Sequence, residues 1–93
     1  MINFIWDKNK AKLNFEKHKL SFEEAVTVFA DPLAFIFDDE EHSRTEQRAL
    51  IIGHTKKNKI IIVSFTERNQ HIRIISARKA TRKEKQDYEE NSW

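Results

Sequence analysis

The run Ile72-Arg73-Ile74-Ile75-Ser76-Ala77-Arg78-Lys79-Ala80, followed at once by Thr81-Arg82-Lys83-Glu84, threads cations through a β-prone apolar segment and into a capped helix. Arginine presents a planar fork of donors that matches phosphate oxygens, and a strand would hold such forks on a rigid platform. The ligand expected for this surface is a polyanion or an acidic protein partner. Cysteine is absent, which removes disulfides and thiolate metal sites and fits a reducing compartment, so a cytoplasmic location is expected. His18, His42, His54 and His71 have no partner at the helical or hairpin spacing of metal ligands, and neither a metal nor another cofactor is expected.

Charge is unevenly distributed. Residues 1–47 carry six Lys/Arg against ten Asp/Glu, a net −4, whereas residues 48–93 carry eleven against five, a net +6. A field gathered on one surface attracts a phosphate backbone even when the total is only +2; the plain alternative is an uneven solvated surface. Ninety-three residues suffice for one domain, expected over 1–93, with one core. No apolar run approaches the roughly 20 residues of a membrane span. Met1-Ile2-Asn3-Phe4 does not read as a leader, so no membrane association and no processing are expected.

The elements that must position these residues follow the order αα, then β, then α. Phe4-Ile5-Trp6 reads as an edge strand, and Asp7 caps a helix from about Lys8 to His18 with a narrow stripe of Ala11, Phe15 and His18. Ser21-Phe22-Glu23-Glu24 is a capping box, in which hydroxyl and carboxylate satisfy orphan amides reciprocally. It opens a second helix whose Phe22, Ala25, Val26 and Phe29 recur at the spacing of a buried face, and Asp31-Pro32 stops it. Leu33–Phe37 reads as a strand and residues 38–44 as a solvated acidic loop. Gln47–Gly53, Lys59–Thr66 and His71–Ala77 then read as an antiparallel meander, with turns at Lys56-Lys57-Asn58 and Arg68-Asn69. Ile60-Ile61-Ile62-Val63 does not alternate, which predicts a central strand covered on both faces. Thr81-Arg82-Lys83-Glu84 is a second capping box, opening a helix to about Glu90 whose only large apolar residue, Tyr88, needs a partner surface. Trp93, at the terminus, reads equally as a disordered end or a functional residue.

Trp6-Asp7, Lys17-His18 followed by Ser21-Phe22-Glu23-Glu24-Ala25, Phe29-Ala30-Asp31-Pro32, and above all Ile72–Ala80 with Glu84 and Tyr88 resemble the BrnT toxins of bacterial type II toxin–antitoxin pairs. The similarity runs from Phe4 to Glu89. It implies an α+β, RelE-like fold with two N-terminal helices packed on a small, mainly antiparallel sheet and a C-terminal helix. It also implies a ribonuclease that arrests translation, neutralised by a BrnA-like antitoxin with a ribbon-helix-helix domain, DNA being reached only through that complex. Where the family usually has glycine after Lys-His, this chain has Lys19. A side chain at that left-handed position costs about 1 kcal/mol, so the first helix is expected to end differently.

Metal-free RNA cleavage requires in-line attack of a 2′-hydroxyl on phosphorus, proton transfer, and neutralisation of a phosphorane-like transition state. Arginine suits the last task, and electrostatic stabilisation with positioning is the role assigned to Arg68, Arg73 and Arg78. In strict alternation Arg73 and Arg78 face opposite sides of a strand, so they share a cleft only if the strand twists or breaks near Ala77. The plain alternative for these arginines is a surface pair with Glu46 or Glu67. Glu46 is the candidate base or arginine-orienting group, because the family pattern also has an acidic residue followed by arginine here. Trp6, as a base-stacking platform or a core residue, and Lys10, Lys79 and Arg82, as phosphate contacts, complete the candidate RNA surface. The isolated histidines read as polar surface, and Tyr88 as an apolar contact for the inhibitor. The competing function is a noncatalytic basic module that holds nucleic acid or an acidic partner; turnover distinguishes it from an enzyme.

Overall fold

A computed structural model describes residues 2–42 and 46–90; Ser43 and Arg44 of the expected acidic loop, and Trp93, lie outside them. In chain order the elements are β1 (Asn3–Ile5), α1 (Lys8–His18), α2 (Phe22–Ala25), a 3-10 segment (Val26–Ala30), β2 (Phe35–Asp38), a 3-10 turn (Glu40–His42), β3 (Ala49–His54), β4 (Ile60–Arg68), β5 (His71–Lys79) and α3 (Arg82–Glu90). The fold is α+β, as expected, with strand order β1-β5-β4-β3-β2. The sheet is mixed: β2, β3, β4 and β5 form the antiparallel meander, while β1 joins β5 in parallel, Phe4 opposite Ile72. Period-2 patterning does not reveal strand direction, and β1 and β5 are separated in the chain by every other strand, so no short connection announces their parallel pairing.

Asp7 caps α1, its carboxylate accepting the amides of Asn9 at 2.8 Å and Lys10 at 3.0 Å. The buried residue of this helix is Asn14, whereas Phe15 is half exposed, so the expected Ala11–Phe15–His18 stripe is not what faces the core. Asn14 Nδ2 donates to the Leu20 carbonyl at 3.1 Å, and its Oδ1 accepts the Ala77 amide at 3.0 Å. A polar side chain takes the core position because it satisfies a β5 backbone group that the three-residue β1 does not reach. Lys19 takes the left-handed conformation itself, φ 59°, with its amide on the Phe15 carbonyl at 2.8 Å, so the helix ends in the glycine geometry without the glycine.

The second helix is tighter than its sequence spacing predicts. Only one turn is α, and Phe22, Ala25 and Val28 are the fully buried residues, three apart as a 3-10 helix requires. The β-branched Val26-Thr27-Val28 run disfavours continued α-helix, and Thr27 Oγ1 donates to the Glu24 carbonyl at 2.6 Å. Ser21 Oγ accepts the Glu24 amide at 3.0 Å, but the Glu24 carboxylate turns to Thr55 Oγ1 at 3.0 Å and so ties α2 to the β3–β4 turn. β2 starts at Phe35 rather than Leu33, because Asp31 first folds Leu33 and Ala34 back through their amides.

Two apolar layers sandwich the sheet. Ile61, Val63 and Phe65 of β4 with Ile72, Ile74 and Ala77 of β5 pack against Leu20, Phe22, Ala25 and Val28. Ile52 and Ile62 on the opposite face pack with Ala80 and Tyr88. Ile61, Ile62 and Val63 are buried on alternating faces, the central strand that their unbroken run predicts. The final hairpin turns at Asn69 and Gln70, φ 50° and 71°, the positive-φ pair of a two-residue turn, which leaves Arg68 on β4 rather than in the turn. Among the described residues no helix is long and apolar enough to cross a membrane.

Candidate functional site

The β4–β5 register decides which cations share a face. Ser64 stands opposite Ser76 but Phe65 opposite Ile74, so Ile75 is an extra residue and β5 is bulged there. Arg73 lies opposite Thr66 and Arg78 opposite Ile62. Thr66 and Ile62 are four apart on β4, hence on one face, and so are the two arginines. The irregularity that a shared face demands occurs at Ile75, two residues before Ala77.

The same face carries Arg68, opposite His71, and Ile5, opposite Arg73. At the β1 end these residues frame an open cleft of about 280 Å³ lined by Ile5, Trp6, Asp7, Thr66, Arg68, Asn69, His71 and Arg73. Arg68 Nη2 donates to Glu46 Oε2 at 2.5 Å, which gives Glu46 a place at the cleft through its arginine. Trp6 is shared between core and cleft: it meets Phe22 edge to face at 5.9 Å and also forms one wall. Asp7 is held below the usual carboxylate range, chiefly by the Lys10 amide, with burial opposing and Arg73 adding a smaller electrostatic pull. Trp6, Arg68 and Arg73, scattered in the chain, thus line one concavity, with Glu46 bound to Arg68. Lys10 is exposed on the first turn of α1, beside Asp7.

The remaining cations belong to the other end of β5. Arg78 is engaged by Glu84 of α3 through both nitrogens, Nη1 to Oε1 at 2.8 Å and Nη2 to Oε2 at 3.0 Å, a partner that neither periodicity nor spacing points to. The same carboxylate accepts the Thr81 amide at 2.8 Å, while Thr81 Oγ1 accepts the Glu84 amide at 3.2 Å, completing the predicted capping box. Chiefly through Arg78, and against burial, Glu84 is lowered to about 2; Arg78 is raised by the same bond. Lys79 and Arg82 are exposed, and Lys79 lines a separate cleft of about 310 Å³ with Lys59 and Lys85. Arg78 shares the face of Arg73, but neither it nor Lys79 nor Arg82 lines the Trp6 cleft.

A third constellation escaped sequence reasoning. Tyr88 Oη donates to Asp31 Oδ2 at 2.5 Å, and His54 Nδ1 lies 2.7 Å from Tyr88 Oη and 3.1 Å from the same carboxylate oxygen. Asp31 Oδ2 also accepts the His54 amide at 2.9 Å. Burial pushes Asp31 upward, but the bonds from Tyr88 and the His54 and Leu33 amides outweigh it and hold the carboxyl below its ordinary value. Burial, then the Asp31 carboxylate, raises the Tyr88 hydroxyl. A Cβ at Gly53 would approach both Ala34 Cβ and Asp31 Oδ2 to 2.8 Å, so the chain's only glycine makes room for this knot. Tyr88 is therefore buried against the sheet, and the expectation that it offers an apolar contact to an inhibitor is corrected: its partner surface is intramolecular. The three residues lie 23 and 34 positions apart; Asp31 and Tyr88 stand among the residues that carry the family resemblance, but the pattern of the chain marks them only as a helix stop and a lone apolar residue. Among the described residues no group of three His, Asp or Glu side chains is arranged to hold a metal ion.

The family model described as ribonuclease toxin, BrnT, of type II toxin–antitoxin system matches residues 6–84. Among solved structures, the 1.1 Å crystal structure of the Brucella abortus ribonuclease toxin BrnT is similar, with 26% sequence identity and a TM-score of 0.70 over 88% of this chain and 100% of that one. No curated protein matches the chain.

Proposed function

Because the chain belongs to the BrnT family of ribonuclease toxins from type II toxin–antitoxin systems, we propose that it is a metal-independent endoribonuclease whose RNA site is the cleft between Trp6 and the β4–β5 hairpin. The observation that carries this reading is the convergence of Trp6, Arg68 and Arg73 on one cleft, with Arg68 braced by Glu46. In the reaction the 2′-oxygen gives up its proton and attacks the adjacent phosphorus, and the 5′-oxygen leaves and takes a proton from water, so one strand end carries a 2′,3′-cyclic phosphate and the other a 5′-hydroxyl. Arg68 and Arg73 neutralise the charge that grows on the equatorial oxygens. Glu46 fixes the Arg68 fork, so that little reorganisation is needed as that charge develops, and it is the nearest candidate to accept the 2′-proton. Trp6 and Lys10 hold the flanking strand.

Arg78 plays a different part in this reading. Both terminal nitrogens are committed to Glu84, so it positions α3 rather than meeting phosphate, whereas Lys79 and Arg82 remain available as outlying phosphate contacts. The whole of 1–93 acts as one toxin domain in the cytoplasm, where its RNA is. The type II family implies a protein antitoxin; a BrnA-like ribbon-helix-helix antitoxin would neutralise this toxin and link it indirectly to DNA.

Purified protein incubated with end-labelled single-stranded RNA in a chelator tests the reading. Many equivalents cleaved, with cyclic-phosphate ends, is the expected result. RNA protected in proportion to protein and never cut would replace the enzyme with the basic binding module. Activity restored only by one added metal would move the charge stabilisation from arginine to an ion.

A further inference from the structure

β2 is an outer strand of the sheet, paired to β3 on one side and open on the other. The Asp39 amide donates to the Arg48 carbonyl at 3.0 Å, which continues the β2–β3 register as a hydrogen-bonded pair. Such pairs alternate along an antiparallel ladder, so Phe35 and Phe37 bond β3 while Ile36 and Asp38 turn their N–H and C=O groups to the open side. Among the described residues nothing bonds them there. An edge of this kind is a template for another strand unless it is blunted, and Phe35–Asp38 contains neither proline nor lysine. Ile36 is 58% exposed and Phe37 40%. Beside the edge lies a hollow of about 360 Å³ lined by Ile36, Asp38, Gln47, Ala49, Phe65 and Glu67. Asp38, Ala49 and Phe65 stand in one row across β2, β3 and β4, with Ile36 and Glu67 two residues along, so these five share a face. Thr66 and Arg68 of the Trp6 cleft alternate with Phe65 and Glu67 on β4 and belong to the other face.

The charge of this edge decides its occupant. Asp38 and Glu67 are exposed, and among the described residues neither is in an ion pair. Asp39, Glu40 and Glu41 carry the acidic run on beyond the strand. A second copy of this chain would bring the same carboxylates to the same edge and, from Phe35–Asp38, return no cation. We infer that the β2 edge docks an extended segment of a partner protein, which adds a strand along Ile36–Asp38 and lays an arginine or lysine in the hollow. The apolar stem of that side chain suits Ile36, Ala49 and Phe65, and its cationic head suits Asp38 and Glu67. Main-chain bonds to the outward groups of Ile36 and Asp38 supply affinity, and the side chain in the hollow supplies selectivity. The hollow lies on the face away from Arg68, so docking leaves the RNA cleft open and the inference is independent of the ribonuclease reading.

Two capped ten-residue peptides test this; they share an alternation of threonine and valine, and one carries two arginines where the other carries two glutamates. Each is titrated into the intact protein, with binding followed by calorimetry and by the backbone amide resonances. The arginine peptide should bind about tenfold tighter than the glutamate peptide or better, shift the Ile36 and Asp38 resonances most, and slow their exchange with solvent. Equal binding of the two peptides, binding of neither, or shifts centred elsewhere overturns the inference. Ile36→Pro removes an outward N–H and none that bonds β3, a change that edge strands tolerate. The folded variant should lose the peptide, and retained binding rejects strand addition. Asp38→Asn combined with Glu67→Gln leaves the backbone untouched and should weaken the arginine peptide about tenfold without changing thermal unfolding. Unaltered affinity rejects the hollow as the seat of the cation, and this variant decides the matter if the proline variant does not fold. Self-association of the parent that Ile36→Pro abolishes would give the edge to a second copy and overturn the assignment.

Discussion

Arg68 and Glu46 form a partly exposed pair at the cleft, with 63% and 29% of the side chains accessible, so their contribution to folding is small; in the proposed reaction their value lies in orientation. Arg68→Ala is expected to lower the cleavage rate about 100- to 1,000-fold, the cost of losing one aimed donor from a charge-stabilising site. Its unfolding free energy should stay within about 0.5 kcal/mol of the parent. Arg68→Lys should recover little, because an ammonium cannot reproduce a fork held at one end by Glu46 and open to phosphate at the other. Glu46→Gln separates orientation from proton transfer: it keeps an acceptor for Arg68 while removing basicity. A loss near tenfold with an unchanged pH–rate profile marks an orienting group. A loss as large as that of Arg68→Ala, with the acidic limb of the profile abolished, marks the base.

At the scale of elements, α3 is fastened to the sheet at two polar points, Glu84 on Arg78 and Tyr88 on Asp31, with only a small apolar layer between them. Tyr88→Phe leaves the buried Asp31 oxygen one donor short and should cost about 1 to 3 kcal/mol, with faster amide exchange over Arg82–Glu90. The fastening also has a pH signature. Glu84 is lowered from 4.5 to about 2 in the fold, so its stabilisation is complete above about pH 4.5 and drains away as pH falls toward about 2. Screening of this partly exposed pair leaves at most about 1 kcal/mol of it. Tyr88 is raised instead, so its contribution is complete below its ordinary value of 10.0 and is lost as pH climbs beyond that. Acid unfolding followed by calorimetry should therefore shift with Arg78→Ala, which removes the cause of the Glu84 shift; an unchanged acid limb would mean that the pair does not hold α3. Much of this element was legible: the Thr81–Glu84 box places the helix, and the unbroken Ile60–Val63 run places the strand beneath it. The partners of Arg78 and Tyr88 were not, because one depends on the bulge at Ile75 and the other on a turn at Asp31 brought against His54 by the sheet. Helix and strand periodicities are local, whereas bulges, parallel pairing of β1 and the 3-10 register of Phe22, Ala25 and Val28 are settled by packing. Residue types at the cleft were readable for the same local reason, and their convergence was not.

For the molecule as a whole, the basic half of the chain is divided rather than pooled. Arg73 stands at the start of β5 and Lys79 at its end, six residues or about 20 Å apart along an extended strand, and Arg82 follows on α3. That separation exceeds a Debye length of about 8 Å at physiological ionic strength, so the two cation groups act as distinct sites for a polyanion and not as one field. The Trp6 cleft would perform chemistry, and the Lys79–Arg82 end would only hold more of the strand. Charge reversal there, Lys79→Glu with Arg82→Glu, is accordingly expected to raise KM several-fold for a long RNA, leave kcat unchanged, and have little effect on a substrate too short to span both ends. For every phosphate that the protein no longer neutralises, the slope of log affinity against log salt should fall by about 0.7 with single-stranded RNA. Arg73→Ala should reduce that slope as well, but with a fall in kcat on long and short substrates alike. Salt titrations on the two RNA lengths decide between the schemes. If the doubly reversed variant binds long RNA with the parent's slope, the distal cations do not touch substrate, and an acidic face of the antitoxin becomes the partner against which they must be measured.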